Sequence, residues 1–381
     1  MIFFLLFLFS CCDNTKTMYE SDMMEPEPTY LNFDGDYDLI ALYNNIIILS
    51  KGEWCKDENG NLIDMKDYTF YKYDLLNSKM TTLLGLNYSG TGTGDYLIMN
   101  GNLLVNSTLI QKLPSYNLLF GLDLVTHELI EIEKTDIFPP FQFLTQLNDD
   151  EIIIYEPNRI YESENTYEYN IKKYNVVTRD INILKTTNYD INTMTGELIS
   201  SVFCANNQIF ALTMKNSENF CIEIFDENGK FINKISLDYL NKYLSDTQDS
   251  IWRLKITRDY FIFETINREF LIYKLLDDNL TKIDTDVSIL KHSNMRLSVT
   301  NQNKNQKYIL FYKYLYNEIY LFDTETEEII DFNINIDDDW NQIEQLIIDD
   351  NGNAIISVIS NHDLNNKRYY YLNHADMVRN Y

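Results

Sequence analysis

A short motif recurs along this chain, and it consists of a strand, a tight turn opened by Asp or Asn, and a second strand. If Asp74, Asp123, Asn175 and Asp226 are taken as markers, successive copies lie 49, 52 and 51 residues apart. A period of about fifty residues indicates a repeat architecture. The copies are Tyr71–Leu83, Leu119–Ile132, Lys172–Leu184, Cys221–Ile235, Leu271–Ile283 and Tyr320–Phe332.

The marker residues suit the turn itself. An Asp or Asn side chain can accept hydrogen bonds from the backbone N–H groups two or three residues later, which closes the turn locally. The flanking Tyr, Phe, Ile and Leu residues favour strands on a mostly buried surface. We therefore interpret the markers as turn formers rather than catalytic carboxylates.

A second series of hairpins precedes these copies, and each has two short apolar strands around an Asn, Asp or Gly turn. Four strands in each repeating unit is the composition of a β-propeller blade. We predict an all-β protein, a seven-bladed β-propeller of four-stranded antiparallel blades, with a count of six or eight left open. The seven first hairpins are Ala41–Leu49, Tyr96–Val105, Leu144–Ile154, Ser201–Leu212, Leu254–Phe263, Ser298–Phe311 and Leu346–Ser357.

The two ends of the chain complete one blade in this interpretation. The last unit offers strands near Ile343–Ile348, Ala354–Ser360 and Arg368–Leu372, and Tyr30–Phe33 supplies the fourth. Such a closure removes an exposed strand edge. Elsewhere we expect one short helix, near Leu237–Tyr243, and a flexible loop between blades at Ser89–Gly94, SGTGTG.

The first residues are typical of a secretory signal. Met1–Ser10, MIFFLLFLFS, is too short for the roughly 20 apolar residues that span a bilayer. The following Leu8–Cys11, LFSC, resembles a bacterial lipobox, which implies lipidation of Cys11; a plain signal peptide is the alternative. We assign residues 1–11 to this lipoprotein signal, 12–28 to a disordered acidic tether and 29–381 to a single propeller domain.

The composition disfavours several classes of partner and ligand. The formal net charge of −27 disfavours nucleic acid and anionic lipid surfaces, because both bind through Lys and Arg. The four His residues are too far apart for a metal site, so no metal is expected. Cys204 and Cys221 fall on the first and third strands of one unit, too far apart for a disulfide, and we expect buried free thiols.

The units LDLVTHELIEI and FDTETEEIIDF resemble the repeats of the broad propeller superfamily that includes WD40-like, YVTN-like and quinoprotein-like proteins. In quinoprotein-like repeats the turn reads Asp-x-x-Thr-Gly and a Trp follows. Here His127 and Glu327 replace the Gly, and the Trp is absent. The resemblance therefore implies the propeller fold but no quinone, and we expect no cofactor.

Propellers of this superfamily bind at the face formed by the loops that lead into each first strand and join each second strand to the third. Exposed Trp, Tyr and Arg are enriched at binding hot spots. Packing between blades and pairing with Asp or Glu are the alternative roles for these side chains. The candidate ligand-binding residues are Trp54, Tyr96, Arg159, Trp252, Arg253, Arg268, Arg296, Trp340 and His362, with Lys56 and Asp95 beside them.

Three functions fit these features. The first is a lipid-anchored, non-catalytic binding or scaffold module for protein or glycan at the bacterial cell envelope, expected to be a monomer that touches the membrane only through its anchor. The second is a glycoside hydrolase or lyase with two carboxylates at the channel mouth. The third is a periplasmic sensor or ligand-capture domain. We favour the first, and assign no catalytic residue.

Overall fold

The computed structural model describes residues 28–43, 45–56, 62–86, 89–99, 101–110, 116–135, 143–160, 165–215, 219–249, 251–257, 259–267, 269–276, 279–283, 290, 295–298, 308–316, 318–332, 342–349, 353–360 and 366–373. In this part of the chain the protein is built almost wholly of antiparallel strands.

The first two sheets have four strands each, in chain order, with the first strand at one edge. The first sheet contains β2 (Asp38–Tyr43), β3 (Ile46–Lys56), β4 (Leu62–Asp74) and β5 (Lys79–Leu86). The second contains β6 (Ser89–Met99), β7 (Asn102–Ile110), β8 (Tyr116–Asp123) and β9 (Leu129–Thr135).

The next eight strands form one continuous sheet. Its first half contains β10 (Phe143–Gln146), β11 (Glu151–Ile160), β12 (Thr166–Asn175) and β13 (Ile181–Asp190). Its second half contains β14 (Thr195–Ala205), β15 (Gln208–Lys215), β16 (Cys221–Phe225) and β17 (Phe231–Ser236), and the helix α1 (Asp238–Thr247) follows.

Three further four-stranded sheets complete the fold. One contains β18 (Ile251–Thr257), β19 (Tyr260–Thr265), β20 (Phe270–Leu276) and β21 (Asn279–Lys282), and the next contains β22 (Met295–Ser298), β23 (Tyr308–Lys313), β24 (Ile319–Asp323) and β25 (Glu328–Phe332). The last has the order β26 (Gln342–Ile348), β27 (Ala354–Ile359), β28 (Lys367–Leu372) and β1 (Thr29–Leu31).

The sheets close into a propeller ring. First strands contact the first strands of neighbouring units, and the Cys204 N–H donates to Thr145 Oγ1 across one such contact, at 3.3 Å. The first sheet also meets the last, because the Leu39 N–H donates to Gln345 Oε1 at 2.8 Å. The predicted all-β propeller with four-stranded antiparallel blades is confirmed.

The number of separate sheets differs from the seven blades that were predicted. Among the described residues, five separate sheets have four strands and a sixth has eight. The reason lies between β13 and β14, where the pairs Tyr189↔Gly196 and Asp190↔Thr195 keep two consecutive units hydrogen-bonded to each other. A short turn at this position, rather than a long connection, therefore merges two units into one sheet.

Burial follows the position of each strand within its sheet. All five residues of β16 are buried, whereas β17 at the outer edge buries only Ile235 fully. Middle strands are covered on both faces by neighbouring sheets, which explains their continuous apolar sequences. The core lies between sheets, where aromatic pairs such as Phe70–Phe120 and Phe270–Phe311 meet with ring centroids 6.2 and 5.2 Å apart.

The predicted turn chemistry is confirmed. Asp123 Oδ1 accepts hydrogen bonds from the N–H groups of Val125 and Thr126, both at 2.7 Å. Asn175 Oδ1 accepts from Val177 and Thr178 at 2.9 and 2.8 Å. Each marker side chain therefore closes its own turn.

The predicted loop at Ser89–Gly94 is wrong, because these residues begin β6. Ser89 pairs with Ile110 and Thr93 with Ser107, with register shifts on either side of Thr93. Gly residues tolerate such bulges, so a Gly-rich stretch extends the strand here instead of ending it. The helix expected at Leu237–Tyr243 is present as α1, and Cys204 and Cys221 are buried free thiols on β14 and β16.

Candidate functional site

The propeller has two faces, which the strand directions define. On the upper face each first strand begins, each second strand ends and each third strand begins. On the opposite face, the turn face, lie the first hairpin turns and the marker turns at Asp74, Asp123, Asn175, Asp226 and Asp323. A ligand at the upper face meets the connections that enter first strands and that join second strands to third.

Four charged side chains cluster close to the upper face where the two halves of the eight-stranded sheet meet. Glu223 receives Lys185 Nζ at 2.8 Å and Lys215 Nζ at 3.1 Å, and Glu197 receives the same two ammonium groups at 2.5 and 3.5 Å. The Glu223 side chain is only 5% exposed. We call these four residues the charge cluster.

The charge cluster keeps the Glu223 carboxylate ionised. Burial opposes the charge on Glu223, but the hydrogen bonds and charges of Lys185 and Lys215 outweigh it and lower the Glu223 pKa. The hydrogen bond to Glu223 in turn raises the pKa of Lys215. A general acid of a glycosidase needs the opposite shift, so Glu223 is unsuited to that role.

The preceding contact between units has a related arrangement. Lys172 Nζ lies 2.6 Å from Glu133 Oε1 and 2.7 Å from Glu156 Oε2. Burial disfavours the charge on Lys172, but the hydrogen bonds to both carboxylates outweigh it and raise its pKa. Glu133 and Lys185 each follow their marker by ten residues, while Lys172 and Glu223 each precede theirs by three. The same pair of positions thus carries an ion pair twice, with the signs exchanged.

A third ionic contact lies at the seam between the first and last sheets. Lys367 Nζ contacts Asp38 Oδ1 at 3.2 Å and Glu344 Oε2 at 3.0 Å. Burial lowers the pKa of Lys367, but the two carboxylates outweigh this effect, so the pKa is raised. Beside it the Tyr369 hydroxyl accepts from the Tyr37 N–H at 2.6 Å and donates to the Tyr37 carbonyl at 2.7 Å.

The helix α1 covers part of the upper face between β17 and β18. The Asn241 side chain accepts from the Phe220 N–H and donates to the Phe220 carbonyl, both at 2.9 Å. The Tyr243 hydroxyl donates to Glu269 in the next sheet. These contacts hold α1 against the connections on both sides.

The predicted binding residues occupy the following positions. Trp54 and Arg159 lie near the ends of the second strands β3 and β11, while Trp252, Arg253 and Arg296 lie at the starts of the first strands β18 and β22. These backbone positions all belong to the upper face.

Of the other predicted residues, Lys56 also belongs to the upper face. Tyr96 is deeper in β6, paired with Val105, with Asp95 beside it, and Lys56 ends β3. Trp54 and Lys56 are thus both in a strand. Arg268, Trp340, His362 and the proposed lipidation site Cys11 lie outside the described residues.

The upper face also carries several exposed apolar side chains that were not among the predicted binding residues. Ile191, Met194, Ile266 and Tyr316 are 46%, 57%, 57% and 42% exposed, and all lie in connections between strands. Lys313 Nζ stands 4.2 Å from the centre of the Tyr316 ring. The sequence signal that could have identified them is an apolar residue within an otherwise polar turn.

The described residues contain no group of three or more His, Cys, Asp or Glu side chains placed to hold a metal ion. Within the same ranges, no helix has the length and apolar character needed to span a bilayer.

Comparison with solved structures supports the fold. The chain is similar to the β-propeller domain of the trilobed protease of Pyrococcus furiosus, with a TM-score of 0.52 and 10% identity over 92% of this chain and 99% of that one. It is also similar to an uncharacterized protein of Listeria monocytogenes EGD-e, with a TM-score of 0.51 and 10% identity over 88% of this chain and 94% of that one. At this identity the likeness concerns the fold alone.

No protein-family model matches the chain. No curated protein matches it either.

Proposed function

We propose that this protein is a lipid-anchored propeller of the bacterial cell envelope that binds a protein or a glycan through its upper face without catalysing a reaction. The observation that supports it is the backbone position of Trp54, Arg159, Arg253 and Arg296 at strand ends of that face. Strand ends on a rigid ring are suited to presenting such anchors to a large partner.

The carboxylates paired with lysine agree with a binding module. Glu223, Glu133, Glu156 and Glu344 all contact lysine ammonium groups within and between units. Each of these four carboxylates is therefore engaged in an ion pair within or between units. The glycoside hydrolase or lyase alternative requires a different pair of carboxylates.

We also propose a ring of seven blades, with the eight-stranded sheet counted as two. Only two residue pairs join β13 to β14, compared with ten between β11 and β12. The first strands β10 and β14 meet through Thr145 and Cys204, as the innermost strands of adjacent blades do.

The anchor at Cys11 belongs to this proposal. Replacing Cys11 with Ala should abolish acyl labelling in cells and release the protein from membranes. Unchanged membrane retention of the Cys11→Ala variant would contradict the lipoprotein assignment.

Capture experiments test the upper face. Protein beginning at Asp13 is presented to envelope extract and to a glycan array, beside an Arg253→Ala, Trp54→Ala variant. The matched control is Arg179→Ala, Phe231→Ala, which removes an exposed cation and an exposed aromatic near the turn face. Capture that persists in the control but is lost in the first variant is the expected result. Equal capture by both variants would refute the assigned face, and consumption of a glycan would favour the enzyme.

A further inference from the structure

The turn face carries an exposed aliphatic residue at one repeated position. Two residues after the marker stand Leu76, Val125 and Val177 in three consecutive units, and these side chains are 76%, 82% and 68% exposed. In a later unit Lys274 takes the marker position, since it pairs with Tyr260 as Asp74 pairs with Ile46, and Leu276 two residues later is 49% exposed. Scattered exposed apolar residues are ordinary on protein surfaces, but recurrence at one position of adjacent units is not.

The backbone at these positions is held in place. The N–H groups of Leu76, Val125 and Val177 donate to the marker side chains at 2.9, 2.7 and 2.9 Å. Each turn also contains a residue in the left-handed region, namely Ser78, His127 or Arg179. The aliphatic side chains are therefore fixed outwards by turn geometry.

The three turns are tied to one another as well. Lys72 Nζ of the first unit donates to the Leu124 carbonyl in the turn of the second unit, at 2.9 Å. Val176, in the turn of the third unit, packs on a cluster that contains Leu104 and Leu119 of the second. The exposed residues thus form one arc along the ring.

The chain enters the fold at this same face. Thr29 pairs with Tyr371, near the end of β28, and β28 runs towards the turn face. Residues 1–27 therefore join the propeller beside the turns rather than at the upper face. Those residues include the apolar run Ile2–Phe9 and the proposed anchor Cys11.

We infer that the turn face rests on a lipid bilayer, with Leu76, Val125 and Val177 entering its interfacial layer and the upper face directed away from it. This inference relies on the proposed anchor and goes beyond it, because an anchor alone leaves the orientation of the propeller free. Aliphatic side chains on a fixed arc suit the boundary between headgroups and acyl chains.

The charged residues beside the arc indicate which lipid headgroups it would contact. Lys79 and Arg179 accompany the exposed residues, but so do Glu128 and Asp180, and the whole chain carries a net charge of −27. The arc therefore has no basic surface for anionic headgroups. A zwitterionic bilayer is the expected partner, and anionic lipid should weaken the contact at low salt.

Fluorescence quenching tests this orientation with the full chain, purified from membranes and reconstituted in phosphatidylcholine vesicles with brominated acyl chains. A tryptophan is added on the arc by Val125→Trp or Val177→Trp. Matched controls add it on the upper face by Ile191→Trp or Ile266→Trp, also at exposed aliphatic residues. The added emission should shift to the blue and be lost to bromine only for the two arc variants.

Each other outcome has a defined meaning. If the full chain floats with vesicles but all four variants are quenched equally, or none is, the orientation is wrong while the anchor stands. A chain that does not float overturns both. If the two arc tryptophan variants stay unquenched and the triple variant Leu76→Ser, Val125→Ser, Val177→Ser loses capture of an envelope protein, the arc docks a protein instead of lipid.

Discussion

At the scale of single residues, the units are joined by ion pairs that no local pattern reveals. Lys172 lies 39 residues from Glu133, and Lys185 lies 38 from Glu223, so each pair exists only once neighbouring units pack. At the preceding contact the equivalent positions are Leu84 and Phe120, which share an apolar cluster. The side chains at this pair of positions must be complementary across the contact between units. Either two opposite charges or two apolar side chains meet that requirement.

Glu223→Gln should lower the free energy of unfolding by about 2–3 kcal/mol at pH 7, because it leaves Lys185 and Lys215 with half their partners. The folded-state pKa of Glu223 is lowered from 4.5. Its stabilisation is therefore complete above pH 4.5 and disappears as pH falls through the folded-state value. The deficit of the variant should shrink in acid, as measured by urea unfolding across pH.

Glu227→Gln is the matched control, because Glu227 is exposed in the marker turn of the same unit. It should change stability by less than about 0.5 kcal/mol at every pH. A pH-independent deficit for Glu223→Gln would show that shape rather than charge holds the contact.

At the scale of elements, hairpins were predictable because Asp or Asn closes each turn within four residues of its own position. The connection between β13 and β14 was not predictable as a hairpin, although its turn has the same chemistry as the marker turns. Asp190 Oδ1 accepts from the N–H groups of Asn192 and Thr193 at 2.8 and 3.0 Å, and Gly196 follows at φ +102°. This turn joins two units instead of two strands of one unit, and only its place in the ring distinguishes it.

Gly196→Ala should destabilise the protein by about 2–4 kcal/mol, because the new Cβ would stand 2.1 Å from the Asn188 carbonyl oxygen in a backbone conformation that disfavours side chains. Gly101→Ala is the control, since Gly101 also has a positive φ, +74°, but open space around its Cβ position. It should cost about 1 kcal/mol. Thermal unfolding followed by circular dichroism compares them, and equal losses would mean that φ alone matters.

At the scale of the whole molecule, the ring is completed by the three-residue strand β1. Tyr30 and Leu31 pair with Tyr370 and Tyr369, and the Tyr369 hydroxyl bridges to Tyr37 at the start of the first sheet. Leu31 is only 6% exposed. A short terminal strand thus covers the outer edge of the last sheet and links both ends of the chain.

A chain beginning at Phe33 should unfold about 3–5 kcal/mol more easily than one beginning at Pro28, because it loses Leu31 from the core and the hydrogen bonds of β1. Urea unfolding of the two truncated chains makes the comparison, and both lack residues 1–27. Identical midpoints would show that the ring is stable without β1.

The sequence by itself determined the repeat, the strand type, the marker turns and the short helix, because each depends on side chains a few residues apart. Tertiary structure alone decided the ion pairs between units and the merging of two units through Gly196. It also decided the common face on which Leu76, Val125 and Val177 meet the start of β1. The physical reason is distance along the chain: these residues become neighbours only when the ring closes, and no local pattern records which blade lies beside which.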